Sequence, residues 1–171
     1  MINESIFDVP WWYRYEFDVV NGTEHALLTF KGINYKADIW LNGKLLADST
    51  SVVGTFRYFD YDISGLVSTK AKNVIALRIT RPNHNNDFPY RDPNTDLALS
   101  FMDWVQPPAD ANMGIWRGVD LYTSPTRSPV IRYPVVNTKL YNNNTMANLT
   151  VVFELIGVGV GIPGTVTLRI D

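Results

Sequence analysis

Between residues 11 and 20 large and polar side chains alternate, and this period of two constrains the fold more than any other feature of the chain. It places Trp12, Arg14 and Glu16 on one face of a strand and Tyr13, Tyr15, Phe17 and Val19 on the other, the face expected to be buried. Residues 26–30, 35–41, 44–47, 56–63, 73–79 and 118–122 carry further strand signatures, and no sustained apolar stripe of helical period occurs. Asn21-Gly22 and Asn42-Gly43 are turn pairs suited to the positive φ angles of tight hairpins. The first predicts an antiparallel hairpin between residues 11–20 and 26–30, the second one between residues 35–41 and 44–47. Five Trp and nine Tyr add to this bias, because aromatic rings pack well on pleated, half-buried surfaces. Short strands with turn signals and no alternating helices predict an all-β, jelly-roll sandwich.

The regular spacing breaks over residues 82–112, a stretch of about 30 residues dense in Pro, Asn and Asp, where most connections run to about 4–6. Such a length points to function. Residues 123–129 (Thr-Ser-Pro-Thr-Arg-Ser-Pro) read as a linker, dividing the chain into residues 1–126 and 127–171. Strands are expected at 130–141, 149–156 and 165–170, too few to close a sandwich of about seven. The second unit therefore reads as truncated. Its unpaired edges and an apolar face with Val151, Phe153 and Leu155 predict a dimer through residues 130–171, or a tail packed back on the first domain.

Composition narrows the partners. The absence of cysteine excludes disulfides and thiolate-held metals and leaves the compartment open. A formal charge of −2, with acids and bases interspersed, offers no footprint for nucleic acid or a membrane surface. Residues 1–10 lack a signal-peptide pattern, and the apolar run over 151–162 falls short of the roughly 20 residues of a spanning helix.

Glycoside hydrolysis needs two carboxyl groups about 5–5.5 Å or 6.5–9.5 Å apart. Glu16 and Glu154 sit mid-strand while Glu4 and Glu24 lie beside a terminus or turn, so no catalytic pair is expected. His25 and His84 have no nucleophile motif near them and are expected at the surface or in turns. Asp92-Pro-Asn94-Thr-Asp96 with Asp103 imitates a calcium loop, but Leu97 stands where that loop needs glycine; Asx-turns holding the loop together fit better. No metal or cofactor is expected. The same loop interleaves Phe88, Tyr90, Phe101 and Trp104 with Asn83, Asn85, Asp87, Arg91 and Asp103. Rings for the C–H face of a pyranose and polar groups for its hydroxyls suit a sugar site; anchoring of the loop by Phe101 and Trp116 accounts equally for some of the aromatics.

Five segments then resemble a known family: Val9-Pro-Trp-Trp-Tyr-Arg14, Lys36-Ala-Asp-Ile-Trp-Leu-Asn-Gly43, Asp92-Pro-Asn-Thr-Asp-Leu97, Met102-Asp-Trp104 and Asn112-Met-Gly-Ile-Trp-Arg-Gly-Val119. In order and spacing they are similar to the N-terminal sugar-binding domain of family 2 glycoside hydrolases. The Asp-Pro-Asn-x-Asp-Leu segment, followed by Asp-Trp and Pro-Pro, favours the exo-β-D-glucosaminidase branch over β-mannosidases and β-galactosidases. The resemblance implies a jelly-roll, galactose-binding-like sandwich, then the first strands of an immunoglobulin-like sandwich, and a separate barrel with two catalytic glutamates that this sequence lacks. It implies that Asp103 and Trp104 contact a β-linked glucosamine or related hexose, with Asn83, Asp92 and Asn94 beside them. Met102, Val105 and Gln106 depart from the mannosidase pattern around that pair. The parent enzyme is expected to be periplasmic or secreted. The competing readings are a free-standing carbohydrate-binding module, the same part of a β-mannosidase, and an adhesion sandwich without sugar contact.

Overall fold

The computed structural model describes residues 4–82, 108–127 and 129–156, together with Thr165, Thr167 and Arg169. Two compact units divide the chain at residue 125. Among the described residues the structure is all-β apart from a single 3₁₀ turn at Glu4–Phe7. The first unit holds β1 (Trp11–Phe17), β2 (His25–Phe30), β3 (Ile33–Asn34), β4 (Lys36–Leu41), β5 (Lys44–Ala47), β6 (Phe59–Asp62), β7 (Asn73–Thr80), β8 (Gly114–Ile115) and β9 (Val119–Ser124).

These strands form a sandwich. One sheet runs β1-β7-β4-β5, the other β6-β2-β9, and β3 pairs with β8. Period-two alternation makes the core: Ala37, Ile39 and Leu41 of β4 and Ile75, Leu77 and Ile79 of β7 meet Ala26, Leu28 and Phe30 of β2. Each large aliphatic side chain so buried contributes about 1.5–3 kcal/mol. Asn42 and Gly43 both have positive φ, 51° and 80°, and close the β4–β5 hairpin as their turn chemistry predicts. Asn42 also accepts a bond from the Val74 N–H and donates to Asn73, a fully buried residue, tying the turn to the start of β7.

Three expectations need correction. Residues 11–20 and 26–30 do not form a hairpin: β1 pairs with β7, while β2 pairs with β6 and β9 in the other sheet. A turn signal with an apolar alternation on each side fits a crossing between layers as well as a return within one. Tyr15 is not buried but 69% exposed, because β1 and β9 are edge strands and a cleft of about 490 Å³ opens between them, bordered by Tyr13, Phe17, Leu28 and Leu121. His25 is a buried strand residue at 3% exposure, set in the middle strand of its sheet, with its ring edge-on to Tyr122. In addition, Thr123 and Ser124, read as linker, belong to β9.

The second unit contains β10 (Val130–Tyr141) and β11 (Met146–Ile156), an antiparallel hairpin with a bulge between Arg132 and Val135. Asn142, Asn143 and Asn144 all take positive φ in its turn, a conformation asparagine tolerates better than most residues. Ile131–Leu155, Val136–Val151 and Leu140–Ala147 line one side, while the other mixes the polar pairs Arg132–Glu154, Asn137–Thr150 and Lys139–Asn148 with the apolar pairs Val135–Val152 and Tyr141–Met146.

Candidate functional site

The described structure stops at Pro82, two residues beyond the C-terminal end of β7, and resumes at Pro108. Asp103, Trp104, Asn83, Asp92 and Asn94, the residues with an expected sugar contact, lie in 83–107, outside the described residues, as do His84 and the calcium-like segment. What the structure describes is a braced foundation around residues 110–116, which follow residues 83–107 in the chain.

A polar hub forms one side of it. Asn34, fully buried on β3, donates from Nδ2 to the carbonyls of Ala111 (3.0 Å) and Asn112 (2.8 Å), and its Oδ1 accepts the Thr55 hydroxyl at 2.7 Å. Both amide hydrogens are used, so the group meets the requirement that buried polar atoms be bonded. The turn it holds is sharp: Ala111 and Asn112 have φ of 51° and 55°, and Asp110 caps it by accepting the Asn112 N–H at 3.0 Å. Tyr13 reaches this turn from β1, its hydroxyl close against Gly114. Burial pushes the Tyr13 phenol above its usual pKa, and the nearby Asp110 charge adds to the rise, so the ring enters as a neutral hydroxyl.

An aromatic post forms the other side. Trp116 donates from its indole N–H to the Thr55 carbonyl at 2.9 Å, the Phe56 ring meets it edge-on at 5.6 Å, and the Arg117 guanidinium lies over it at 4.6 Å. Gly32 permits this packing, since a Cβ there would stand 2.5 Å from the indole nitrogen. Trp116 is thus the anchor that the sequence suggested. Phe56 and Tyr58 remain exposed. Arg81, at the start of the loop, is ion-paired with Asp8 at 2.7 Å.

What these described residues do is hold the turn at 110–112 and the Trp116 ring in place. Among the described residues no group of three or more His, Asp or Glu side chains is placed to hold a metal ion. Sequence reasoning missed Asn34 and Thr55, whose roles depend on partners 77 and 21 residues away.

Residues 3–117 match the profile of the glycosyl hydrolase 2 galactose-binding domain-like family. The chain belongs to this family. Within the family, the chain is 38% identical over 118 residues to an exo-β-D-glucosaminidase of Streptomyces avermitilis, an overlap of 69% of this chain and 12% of that protein. An exo-β-D-glucosaminidase of Amycolatopsis orientalis is 37% identical over 145 residues, 85% of this chain and 13% of that one. The crystal structure of the Amycolatopsis orientalis exo-chitosanase superposes with a TM-score of 0.74 at 36% identity, over 88% of this chain and 16% of that chain. This galactose-binding-like chain spans about an eighth of the length of the glucosaminidases it matches.

Proposed function

We propose that this chain is a non-catalytic, carbohydrate-binding and pocket-completing part of a family 2 glycoside hydrolase that removes terminal β-linked glucosamine from chitosan-type oligosaccharides. The observation that carries the reading is the match to two exo-β-D-glucosaminidases, at 38% identity over 118 residues and 37% over 145. The bracing on both flanks of residues 83–107 supports it, with Arg81 paired to Asp8 just after β7 and Asn34 holding the Asn112 carbonyl on the other side, because a segment of about 25 residues presents side chains reproducibly only when both its ends are fixed. In this proposal residues 1–126 form the sugar-binding domain, residues 127–171 open an immunoglobulin-like sandwich, and a barrel elsewhere in the polypeptide supplies the acid and nucleophile. Asp103 accepts hydrogen bonds from the sugar, Trp104 stacks on it, and Asn83, Asp92 and Asn94 flank them.

The test is Asp103→Ala in the longest natural polypeptide that carries this sequence, assayed on an aryl β-glucosaminide. Loss of a charged hydrogen bond to the substrate costs about 1.5–3 kcal/mol of transition-state binding, roughly a 10- to 100-fold fall in kcat/KM, with the melting temperature unchanged. Unchanged kinetics with a lowered melting temperature would show that Asp103 only braces the loop. A β-mannosidase reading has one observation in its favour, 30% identity over 141 residues to the mannosylglycoprotein endo-β-mannosidase of Lilium longiflorum. Turnover of β-mannosides in preference to β-glucosaminides by the same polypeptide would select it.

A further inference from the structure

The outward face of the four-stranded sheet carries an aromatic pair that neither the core nor the loop foundation uses. Trp12 on β1 and Trp40 on β4 flank β7, where Ala76 stands directly opposite Trp40 and Arg78 directly opposite Trp12. Across an intervening strand, side chains seldom touch. Here the small Ala76 leaves room, and the two indoles stack above the strand with centroids 5.2 Å apart and planes 29° from parallel. Trp12 stays 61% exposed.

The polar groups around the rings are held in place. Arg78 donates from Nε (2.9 Å) and Nη2 (2.5 Å) to Oδ2 of Asp38, whose Oδ1 accepts the Ser49 N–H at 2.8 Å. Arg14 pairs with Glu16 at 2.6 Å along β1. Lys36, at the same end of β4, places its ammonium 5.5 Å from the Tyr35 ring centroid. Both guanidiniums on this face are therefore already neutralised by carboxylates of the same face. Paired in this way, the guanidiniums offer an anionic partner little further Coulomb energy. What the face still offers is flat aromatic surface, with guanidinium N–H donors and the Glu16 carboxylate fixed beside it. That set matches a neutral ligand with a flat C–H face and a rim of hydroxyls, which is a pyranose ring.

We propose that the Trp12–Trp40 face is a further glycan-binding surface, which holds an uncharged β-linked pyranose chain by stacking on the indoles and by hydrogen bonds to Arg78, Arg14 and Glu16. It goes beyond the pocket-completing reading and does not depend on it: the surface would keep a polymer near the enzyme whichever residue closes the pocket.

The test titrates cellohexaose into the full 171-residue chain and follows tryptophan fluorescence and calorimetric heat. Saturable binding is expected. Trp12→Ala should weaken it by roughly tenfold or more without lowering the melting temperature, since the ring is exposed. Ala76→Leu, which fills the space under the indoles and forces them apart, should weaken it as well. Asp103→Ala should bind the hexasaccharide like the wild type, so failure of the loop assignment leaves this one standing. Absence of saturable binding, affinity unaffected by Trp12→Ala, or equal loss in Asp103→Ala would each overturn the proposal.

Discussion

The Asn34 side chain donates a hydrogen bond to the Asn112 carbonyl across 2.8 Å, although 78 residues separate the two along the chain. The segment between them includes β7, the last strand before residues 83–107, and the turn that follows them. The bond is thus a clasp on the loop's return, closed on its other side by the Thr55 hydroxyl.

Asn34→Ala should therefore be costly. It leaves the Ala111 and Asn112 carbonyls and the Thr55 hydroxyl without this partner in a buried setting, a loss of about 1–3 kcal/mol. Urea unfolding of the wild type and the variant should show the difference as a lower midpoint at constant m-value. Hydrogen exchange at Asn112 and Met113 should accelerate more than at β4.

Gly32→Ala should disturb the aromatic post. The new methyl would lie 2.5 Å from Nε1 and 2.8 Å from Cε2 of Trp116, a ring that cannot simply rotate away without breaking its 2.9 Å bond to the Thr55 carbonyl. Overpacking of this kind costs about 1–3 kcal/mol. A red-shifted tryptophan emission together with a lower melting temperature would check it. Trp116→Phe on the same background should recover part of the stability by shrinking the ring.

Asp38 should make stability depend on acid. Burial pushes its carboxyl up, but the Ser49 N–H and the Arg78 guanidinium outweigh burial and hold it below the usual carboxylate range. A depressed folded-state pKa stabilises the fold above the unfolded value of about 3.9 and ceases to do so as pH falls through the folded value. The stability difference between wild type and Asp38→Asn should be full at pH 7 and shrink steadily below about pH 4. Urea titrations across that range measure it, and a difference independent of pH would contradict the assignment.

The hairpin of the second unit should associate. Val136 and Val151 sit opposite each other on one face of β10 and β11, and an isolated two-stranded hairpin is marginal in water on its own. Sedimentation of the isolated 171-residue chain should show concentration-dependent dimers, and Val136→Lys with Val151→Lys should return it to a monomer without changing unit 1. A monomer at every concentration for the wild type would count against this.

The sequence by itself determined the features whose causes are local. The alternation around Trp12 to Phe17 set which side chains share a face, and Asn42-Gly43 closed its hairpin through two positive φ angles; neither required knowledge of distant residues. The family was legible for a similar reason, since its motifs are contiguous runs such as Lys36-Ala-Asp-Ile-Trp-Leu-Asn-Gly43. Beyond that hairpin, tertiary structure decided which strands pair. β1 went to β7 instead of its neighbour in sequence because strand pairing is chosen by long-range packing of apolar faces, on which a two-residue turn signal is silent. The same nonlocality buried His25, brought Asn34 to the turn before β8, and set Trp12 against Trp40 over the small side chain of Ala76. Each of those relationships is made by residues tens of positions apart, and only the closed sandwich puts them within reach.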